Sequence, residues 1–409
     1  MNIFLILILC FLIGEFLVTA YIDVLNIKHL SPHPPEEFKN VYDPERYKKS
    51  QAYLKDNTWF SLIHSGLFTL ITIAFILCGG FNTIDLWARS FHLGEIPTGL
   101  IFTGILALLM QIINLPFSLY HTFVTEEKYG FNKTTLKTFF LDCLKGLILG
   151  AILGGLILAG LIYFFEMFPV YGWLFAWIGL VCFQLFMDYV APTWIMPLFN
   201  KFTPLEQNPL KEAIENYAKA ENFALQGVYV MDGSKRSSKT NAFFVGFGQN
   251  RRIVLFDTLI EKHTTDELVS VLAHEMGHYK KHHIIKIMMH SFLISGLMLY
   301  LFSWVINNQL LFNAFKMEHL SIYASLIFFA LLYSPLEFIF GIFSHYFSRK
   351  YEFEADQYAV TTYKKAGAMI NALKKLAVEN LSNLTPHPLK VFISYSHPPV
   401  IERINHIKN

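Results

Sequence analysis

The chain alternates between long apolar runs and mixed polar segments. A membrane-spanning helix needs about 20 consecutive apolar residues, and seven runs reach that length. They lie at about 3–25, 59–80, 97–119, 141–165, 170–190, 287–306 and 320–345. The first run lacks a basic flank and a small-residue cleavage site, so we interpret it as a retained helix and not as a signal peptide. The pattern predicts a mostly α-helical, polytopic membrane protein with about seven transmembrane helices.

These runs divide the chain into four parts. Residues 1–191 hold the first five predicted helices with their loops, and 286–345 hold the last two. Residues 192–285 and 346–409 are mixed in character, as is typical of segments that fold in water. Because two spans separate the polar segments, we expect both on the same side of the membrane, where they can share one site.

Basic residues predict which side that is. The loops at 27–58 and 120–138, on the side of the polar segments, are rich in Lys and Arg. The opposite loops carry little beyond Arg89 and Lys316. Loops rich in Lys and Arg stay in the cytoplasm. The polar segments are therefore predicted to be cytoplasmic, in the endoplasmic reticulum membrane if the source is eukaryotic and in the inner or cell membrane if it is bacterial.

Composition agrees with a membrane protein and removes one class of function. Hydrophobic residues make up 54% of the 409 residues, and charged residues only 16%. A net charge of +2, without a basic helix, argues against nucleic acid as a partner. The expected partners are the lipid bilayer and whatever substrate the polar segments bind.

Five polar side chains fall within the predicted spans: Glu15, His64, Asn114, His290 and Glu337. Such groups usually face the interior of a helix bundle or a water-filled cavity. Together they favour a polar chamber enclosed by the helices. For any single one of them, a paired structural contact is the alternative interpretation.

The pentapeptide His274-Glu275-Met276-Gly277-His278 carries the chemistry. Residues four apart share a helix face, so both imidazoles can bind one zinc ion, and Glu275 can act as the general base of a metalloprotease. Thr265, followed by Asp266 and Glu267, predicts a capped start for this helix. A chance occurrence of the motif is the alternative if nothing else in the chain supports it.

The second polar segment offers a third ligand directly after the last span. In helical spacing Glu352 and Asp356 share a face, whereas Glu354 points elsewhere. We expect Glu352 to be the ligand that completes a site for one Zn²⁺ per chain, with the fourth position open to water. Asp356 is then expected to accept a hydrogen bond that orients a ligating histidine or to hold the helix in place.

A short β-sheet is predicted upstream of the histidines. Residues 227–231, 240–247 and 252–257 are rich in β-branched and aromatic side chains, and 248–251 is expected to close a hairpin. An edge strand there, beginning at Asn241, Ala242 and Phe243, would bind a substrate peptide in extended form across the metal. The alternative is that the hairpin serves only as scaffold.

His397 is the best remaining histidine for catalysis. It precedes two prolines that stiffen its segment, and it is a candidate donor to the oxyanion of the tetrahedral intermediate. His282 and His283 stand beside Lys280 and Lys281, and this setting predicts a solvated, interfacial face.

The chain resembles the integral-membrane CAAX prenyl protease type I family of zinc metallopeptidases. The matching stretches are PFSLYHTFVTEEKYGFN, MDGSKRSSKTNAFFVGF, RRIVLFDTLI, HEMGH, SRKYEFEAD and YSHPPVIERI. The resemblance implies seven membrane helices around a large chamber, with the zinc site at its cytoplasmic end. It implies the ligands His274, His278 and Glu352, the base Glu275, and His397 and Asn241 as substrate contacts. It also implies cleavage near a protein's carboxyl terminus, after a prenylated cysteine in eukaryotic members.

Two other functions remain open at this stage. One is a membrane quality-control zinc protease of the HtpX type, for which we would expect fewer helices. The other is a transporter or scaffold with a structural metal site. A structural site normally has four protein ligands, often cysteines, and no cysteine stands near the motif.

Overall fold

A computed structural model describes residues 2–245 and 252–409. The helices are α1 (Ile3–Lys28), α2 (Pro44–Leu77), α3 (Gly80–Arg89), α4 (Glu95–Tyr120), α5 (Glu127–Tyr129), α6 (Leu136–Met167), α7 (Gly172–Val190), α8 (Met196–Phe199), α9 (Pro209–Ala220), α10 (Asp257–Ile260), α11 (Thr265–Lys280), α12 (His283–Val305), α13 (Gln309–Ala314), α14 (Ile322–Tyr363), α15 (Ala366–Glu379), α16 (Pro388–Ser394) and α17 (Val400–Lys408). The strands are β1 (Phe202–Pro204), β2 (Gly227–Met231), β3 (Ala242–Val245) and β4 (Arg252–Phe256).

Within the described residues, seven helical stretches are long and apolar enough to cross a membrane, which confirms the predicted fold class. They are α1, α2, α4 with α5, α6, α7 with α8, α12 and α14. Two of them pass through a wider π turn, at His121–Glu126 and at Ala191–Ile195. Pro192 lies in the second of these turns and has no amide hydrogen to donate to a regular helix.

Two spans are longer than their apolar runs. α2 begins at Pro44, where the Asp43 side chain accepts a hydrogen bond from the Arg46 amide, and not near residue 59. α14 does not end near 345 but continues to Tyr363. Hydropathy reports only the part of a helix that meets lipid, so the polar extensions escaped the prediction. Since a helix rises 1.5 Å per residue, Glu352 stands about 45 Å from the start of α14, beyond a hydrocarbon core about 30 Å thick.

One large packed core joins the membrane helices. The distal core, at the end of α14 far from Glu352, is built largely from aromatic side chains: Phe81, Phe102, Phe302, Phe312, Tyr323 and Phe328. In the most apolar window of each span, no more than 17% of the residues are buried inside the protein. Most side chains of the spans therefore face lipid or the space between the helices. This low burial is compatible with the chamber predicted between the helices.

Some polar groups at membrane depth are paired. His64 Nε2 lies 2.8 Å from Asn114 Oδ1, which joins α2 to α4. His290 Nδ1 lies 3.5 Å from the Ser344 hydroxyl, which joins α12 to α14. For these residues the structure supports the interpretation as contacts between helices.

The first polar segment contains a four-stranded sheet with strand order β1-β2-β4-β3. β3 and β4 are antiparallel, as expected for the two arms of the hairpin, whereas β2 and β4 are parallel. The predicted turn at 248–251 lies outside the described residues. The prediction missed β1, a three-residue strand that ends in proline. Because β4 is its only neighbour among the described strands, β3 forms an edge of the sheet.

Candidate active site

The helix α11 carries the HEMGH motif on a firmly packed segment. Its capping residue is Thr264 and not Thr265: the Thr264 side chain accepts from the Glu267 amide, and Glu267 Oε2 accepts from the Thr264 amide at 2.8 Å. Leu268, Leu272 and Met276 face the core beneath the sheet. The start and the buried face of α11 are thus both fixed, so the two histidines hold constant positions.

Gly277 lets α11 approach α14 closely. A Cβ atom on Gly277 would lie 3.0 Å from Ala355 Cα and 3.1 Å from its carbonyl oxygen, both backbone atoms that cannot move aside. The glycine of the motif therefore has a packing role. It brings the histidines of α11 against the acidic turn of α14.

Three side chains converge between these helices. His274 Nε2 and His278 Nε2 lie 3.2 Å apart, and Glu352 Oε1 lies 3.2 Å from the second of these nitrogens. One ligand atom from each residue falls within 4.8 Å of the others. Glu352 Oε2 is buried and accepts no hydrogen bond from any described residue, although the Arg403 guanidinium lies 3.2 Å away. Two imidazole nitrogens and an under-satisfied buried carboxylate form a donor set that fits a metal such as zinc.

Asp356 lies behind the first histidine. Its Oδ1 is 2.8 Å from His274 Nδ1, so the imidazole can donate to the carboxylate from Nδ1 and keep Nε2 free. Burial alone would lower the pKa of His274, but the carboxylates of Asp356 and Glu352 outweigh it and raise that pKa to about 9, so a metal ion at Nε2 would displace a proton. The Asp356 carboxylate is itself fully buried.

Arg403 of α17 compensates these buried carboxylates. Its Nε and Nη2 donate to the two oxygens of Asp356 at 2.8 and 2.7 Å, and its Nη1 lies 3.2 Å from Glu352 Oε2. A bidentate arginine–carboxylate pair fixes geometry as well as charge. No pattern in the sequence indicates a role for Arg403, which directly follows Glu402 in the matching stretch YSHPPVIERI.

His283 corrects the sequence-based interpretation. It was expected on a solvated face, but it is fully buried, with Nδ1 3.1 Å from His278 Nδ1 and Nε2 3.0 Å from Glu354 Oε2. His282 is exposed, as expected. The difference arises because the chain bends at His282, which has a positive φ of 59°, and α12 starts in a new direction.

Glu275 and His397 lie at the more open side of the same site. The Glu275 side chain is half-buried, and the loss of water around its carboxyl group raises the pKa of that group above the ordinary value. His397 Nε2 lies 3.4 Å from Glu352 Oε1, and its Nδ1 lies 2.9 Å from the Ser396 hydroxyl. The His397 side chain is 64% exposed, so it remains accessible to a ligand.

The predicted substrate residues begin the edge strand. The Asn241 carbonyl accepts from the Phe256 amide at 3.1 Å, and the Asn241 side chain accepts from the Ala242 amide at 2.9 Å. Phe243 and Ala242 pair with β4 on one side. Phe244 contacts Tyr279 of α11, with ring centroids 6.3 Å apart. β3 is therefore tied to α11 as well as to the sheet.

Comparisons with known proteins agree with this architecture. Residues 23–201 match the CAAX prenyl protease N-terminal region, which has five membrane helices, and residues 204–409 match peptidase family M48. A CAAX prenyl protease 1 homologue of Oryza sativa is 35% identical, with 98% of this chain and 96% of the relative covered. The CAAX prenyl protease 1 of Saccharomyces cerevisiae is 34% identical, with 96% and 93% covered.

A solved structure matches the whole fold. The crystal structure of S. mikatae Ste24p superposes with a TM-score of 0.94 at 33% identity and covers 99% of both chains. Family, fold and site geometry thus agree over the full length. The chain belongs to the CAAX prenyl protease branch of peptidase family M48 and is a multi-pass membrane metalloprotease.

Proposed function

We propose that this protein is a zinc metalloendopeptidase that hydrolyses a peptide bond near the carboxyl terminus of prenylated CAAX-type proteins. The observation that carries the proposal is the convergence of His274, His278 and Glu352 beside Glu275. The names of the relatives, which cover nearly all of this chain, support the substrate class.

One zinc ion per chain would be held by His274 Nε2, His278 Nε2 and Glu352. Zinc supplies Lewis-acid chemistry: it activates a water molecule and polarises the scissile carbonyl. Asp356 keeps His274 in the tautomer that leaves Nε2 free to bind the ion.

Proton transfer falls to Glu275. A carboxylate with a raised pKa is a better base than an ordinary one, and it can pass the proton on to the leaving amine. His397, held by Ser396, donates a hydrogen bond to the oxyanion. Its exposure in the free protein suits a group that acts only when substrate is present.

The substrate peptide would add to the open edge of β3. Main-chain groups from Ala242 and Phe243 onward would bind it in extended form, and the Asn241 amide is available to its backbone. Because β3 contacts α11, a peptide on this edge lies beside the metal ligands.

The prenyl group would occupy apolar surface between the membrane helices. A peptidase needs only the sheet, α11 and part of α14, yet most of the chain forms apolar spans. Each buried CH₂ contributes about 0.8 kcal/mol, so a farnesyl chain could anchor the peptide by several kcal/mol. We further propose that the site faces the cytoplasm, on the endoplasmic reticulum membrane in a eukaryote and on the cell membrane in a bacterium.

A cleavage assay with paired peptides tests the proposal. Purified protein and its Glu275→Gln variant are given one carboxyl-terminal CAAX peptide with and without farnesyl on its cysteine. We expect the natural enzyme to cleave the farnesylated peptide with a much higher kcat/KM, and a strong chelator to stop cleavage. We expect Glu275→Gln to keep its zinc and lose turnover.

Two results would contradict it in different ways. Equal kcat/KM for both peptides would show that the enzyme does not recognise the prenyl group, and the proposed peptidase activity would stand. Full activity of Glu275→Gln, or of chelated protein without metal, would remove the mechanism itself.

A further inference from the structure

A buried histidine lies between His278 and a carboxylate of α14. His283 begins α12, with Nδ1 3.1 Å from His278 Nδ1 and Nε2 3.0 Å from Glu354 Oε2. Its ring stacks on Tyr351, with centroids 4.4 Å apart and planes inclined by 14°. Contacts at both nitrogens and on one ring face leave this imidazole a single orientation.

The metal site selects one arrangement of protons along this chain. His278 Nε2 faces His274 and Glu352, so it must be unprotonated to bind a metal, and the ring proton then resides on Nδ1. That N–H points at His283 Nδ1, which must accept. His283 therefore carries its own proton on Nε2 and donates it to Glu354.

We propose that His283 and Glu354 form a positioning relay for His278. The relay holds the metal ligand in the Nδ1–H tautomer and in the ring orientation that presents Nε2 to the ion. Neither relay residue contacts substrate; both act through His278. The inference rests on the metal centre proposed above and adds the residues that prepare one of its ligands.

The two histidine ligands are then supported alike, by different routes. His274 donates directly to Asp356, at 2.8 Å. Glu354 is two residues from Glu352 and so points about 200° around α14, away from the metal site. It reaches His278 only because the bend at His282 brings His283 back between them. Of the three alternating acids of α14, Glu352 is the metal ligand. Asp356 supports His274 directly, and Glu354 supports His278 through His283.

Zinc affinity of the full-length protein tests this relay. In His283→Phe the ring can still stack on Tyr351 but can neither accept nor donate. Loss of such a supporting partner typically weakens metal binding by about 10- to 100-fold, and we expect a loss in that range by competition with a calibrated chelator. We expect Glu354→Ala to lower the affinity less, since His283 would still accept from His278.

Two further variants separate positioning from packing. The side-chain amide in His283→Gln can accept from His278 and donate to Glu354. This variant should therefore keep most of the zinc affinity that His283→Phe loses. Lys350 lies 3.9 Å from Glu354 on the exposed side, and Lys350→Gln should bind zinc as the natural protein does. The visible spectrum of the Co²⁺-loaded protein should change for His283→Phe and not for Lys350→Gln.

The outcomes are distinct. If both His283→Phe and Glu354→Ala bind zinc as tightly as the natural protein, the relay is wrong, and the proposed peptidase function is unaffected. Equal losses in the phenylalanine and glutamine variants, with none in Glu354→Ala, overturn it in favour of simple packing. If His283→Phe does not fold, an unchanged affinity of Glu354→Ala overturns it. A natural protein that binds no zinc would overturn the proposed function, and the relay with it.

Discussion

Arg403 is the residue on which the charge balance of the site depends. Around it two carboxylates, Asp356 and Glu352, are buried almost completely, and the permanently charged Arg403 guanidinium contacts both. Burying a charge is costly unless it is paired, and removing one partner leaves the other uncompensated. The arginine thus stabilises the acidic turn of α14 whether or not a metal is bound.

Replacing this arginine should destabilise the protein strongly. We expect Arg403→Met to lower the free energy of unfolding by about 3–5 kcal/mol, as is usual when one member of a buried pair is lost. The measurement is thermal unfolding in detergent, on zinc-loaded and on metal-stripped protein, so that loss of metal is not mistaken for the cause.

The same helix offers a matched control. Lys408 of α17 is exposed and contacts Glu37, and Lys408→Met should cost less than about 1 kcal/mol. Arg403→Lys should lie between, because an ammonium cannot make the bidentate contact. An Arg403→Met protein as stable as the natural one would refute the argument.

At the scale of elements, the loop before β3 joins the catalytic segment to the membrane helices. Lys239 Nζ donates to Glu126 and to the Tyr53 hydroxyl, each at 2.8 Å, and lies 4.5 Å from the centre of the Phe131 ring. Arg236 makes a bidentate contact with Asp142 of α6. The segment before the proposed substrate-binding strand is therefore anchored to α2, to the π turn at His121–Glu126 and to α6.

Removing the Lys239 contacts should weaken substrate binding more than metal binding. We expect Lys239→Met to raise KM by up to about tenfold, since hydrogen bonds to charged groups contribute roughly 1.5–3 kcal/mol each and only part of that loss reaches β3. Zinc content should stay the same, because α11 has its own cap and core.

Lys235 provides the comparison. It lies in the same loop but is exposed, and Lys235→Met should leave KM unchanged. If Lys239→Met also leaves KM unchanged, the loop does not position the strand.

Sequence patterns predicted the helices and strands better than the bends and tertiary contacts between them. Spacing within one helix pairs His274 with His278, and Glu352 with Asp356, because helical periodicity is local. The burial of His283 does not follow from the sequence pattern, because it depends on a bend at His282, where a non-glycine residue adopts a positive φ that hydropathy does not indicate. The role of Arg403 does not follow from local spacing, because its partners lie 47 and 51 residues earlier in the chain and meet it only through tertiary packing.

At the scale of the whole molecule, the protein has packed cores at both ends of its membrane helices. The distal core closes one end, and the sheet, α11 and the last helices close the other. The basic loops predicted to be cytoplasmic lie at the second end: Arg46 contacts Glu379, and Lys128 contacts Asp56 near the base of α2. The basic loops and the catalytic segment thus lie at the same end, which agrees with the proposed cytoplasmic orientation.

That orientation can be measured with single cysteines in a protein whose Cys10, Cys78, Cys143 and Cys182 are replaced. Glu206 is exposed at the catalytic end, and His319 is exposed at the distal end. We expect a membrane-impermeant maleimide to label Glu206→Cys only from the cytoplasmic side and His319→Cys only from the opposite side, because loops rich in Lys and Arg are retained in the cytoplasm. Both variants change one exposed loop residue, so each serves as the control for the other. Labelling in the reverse pattern would place the peptidase site outside the cytoplasm and overturn the orientation, while the fold and the metal site would stand.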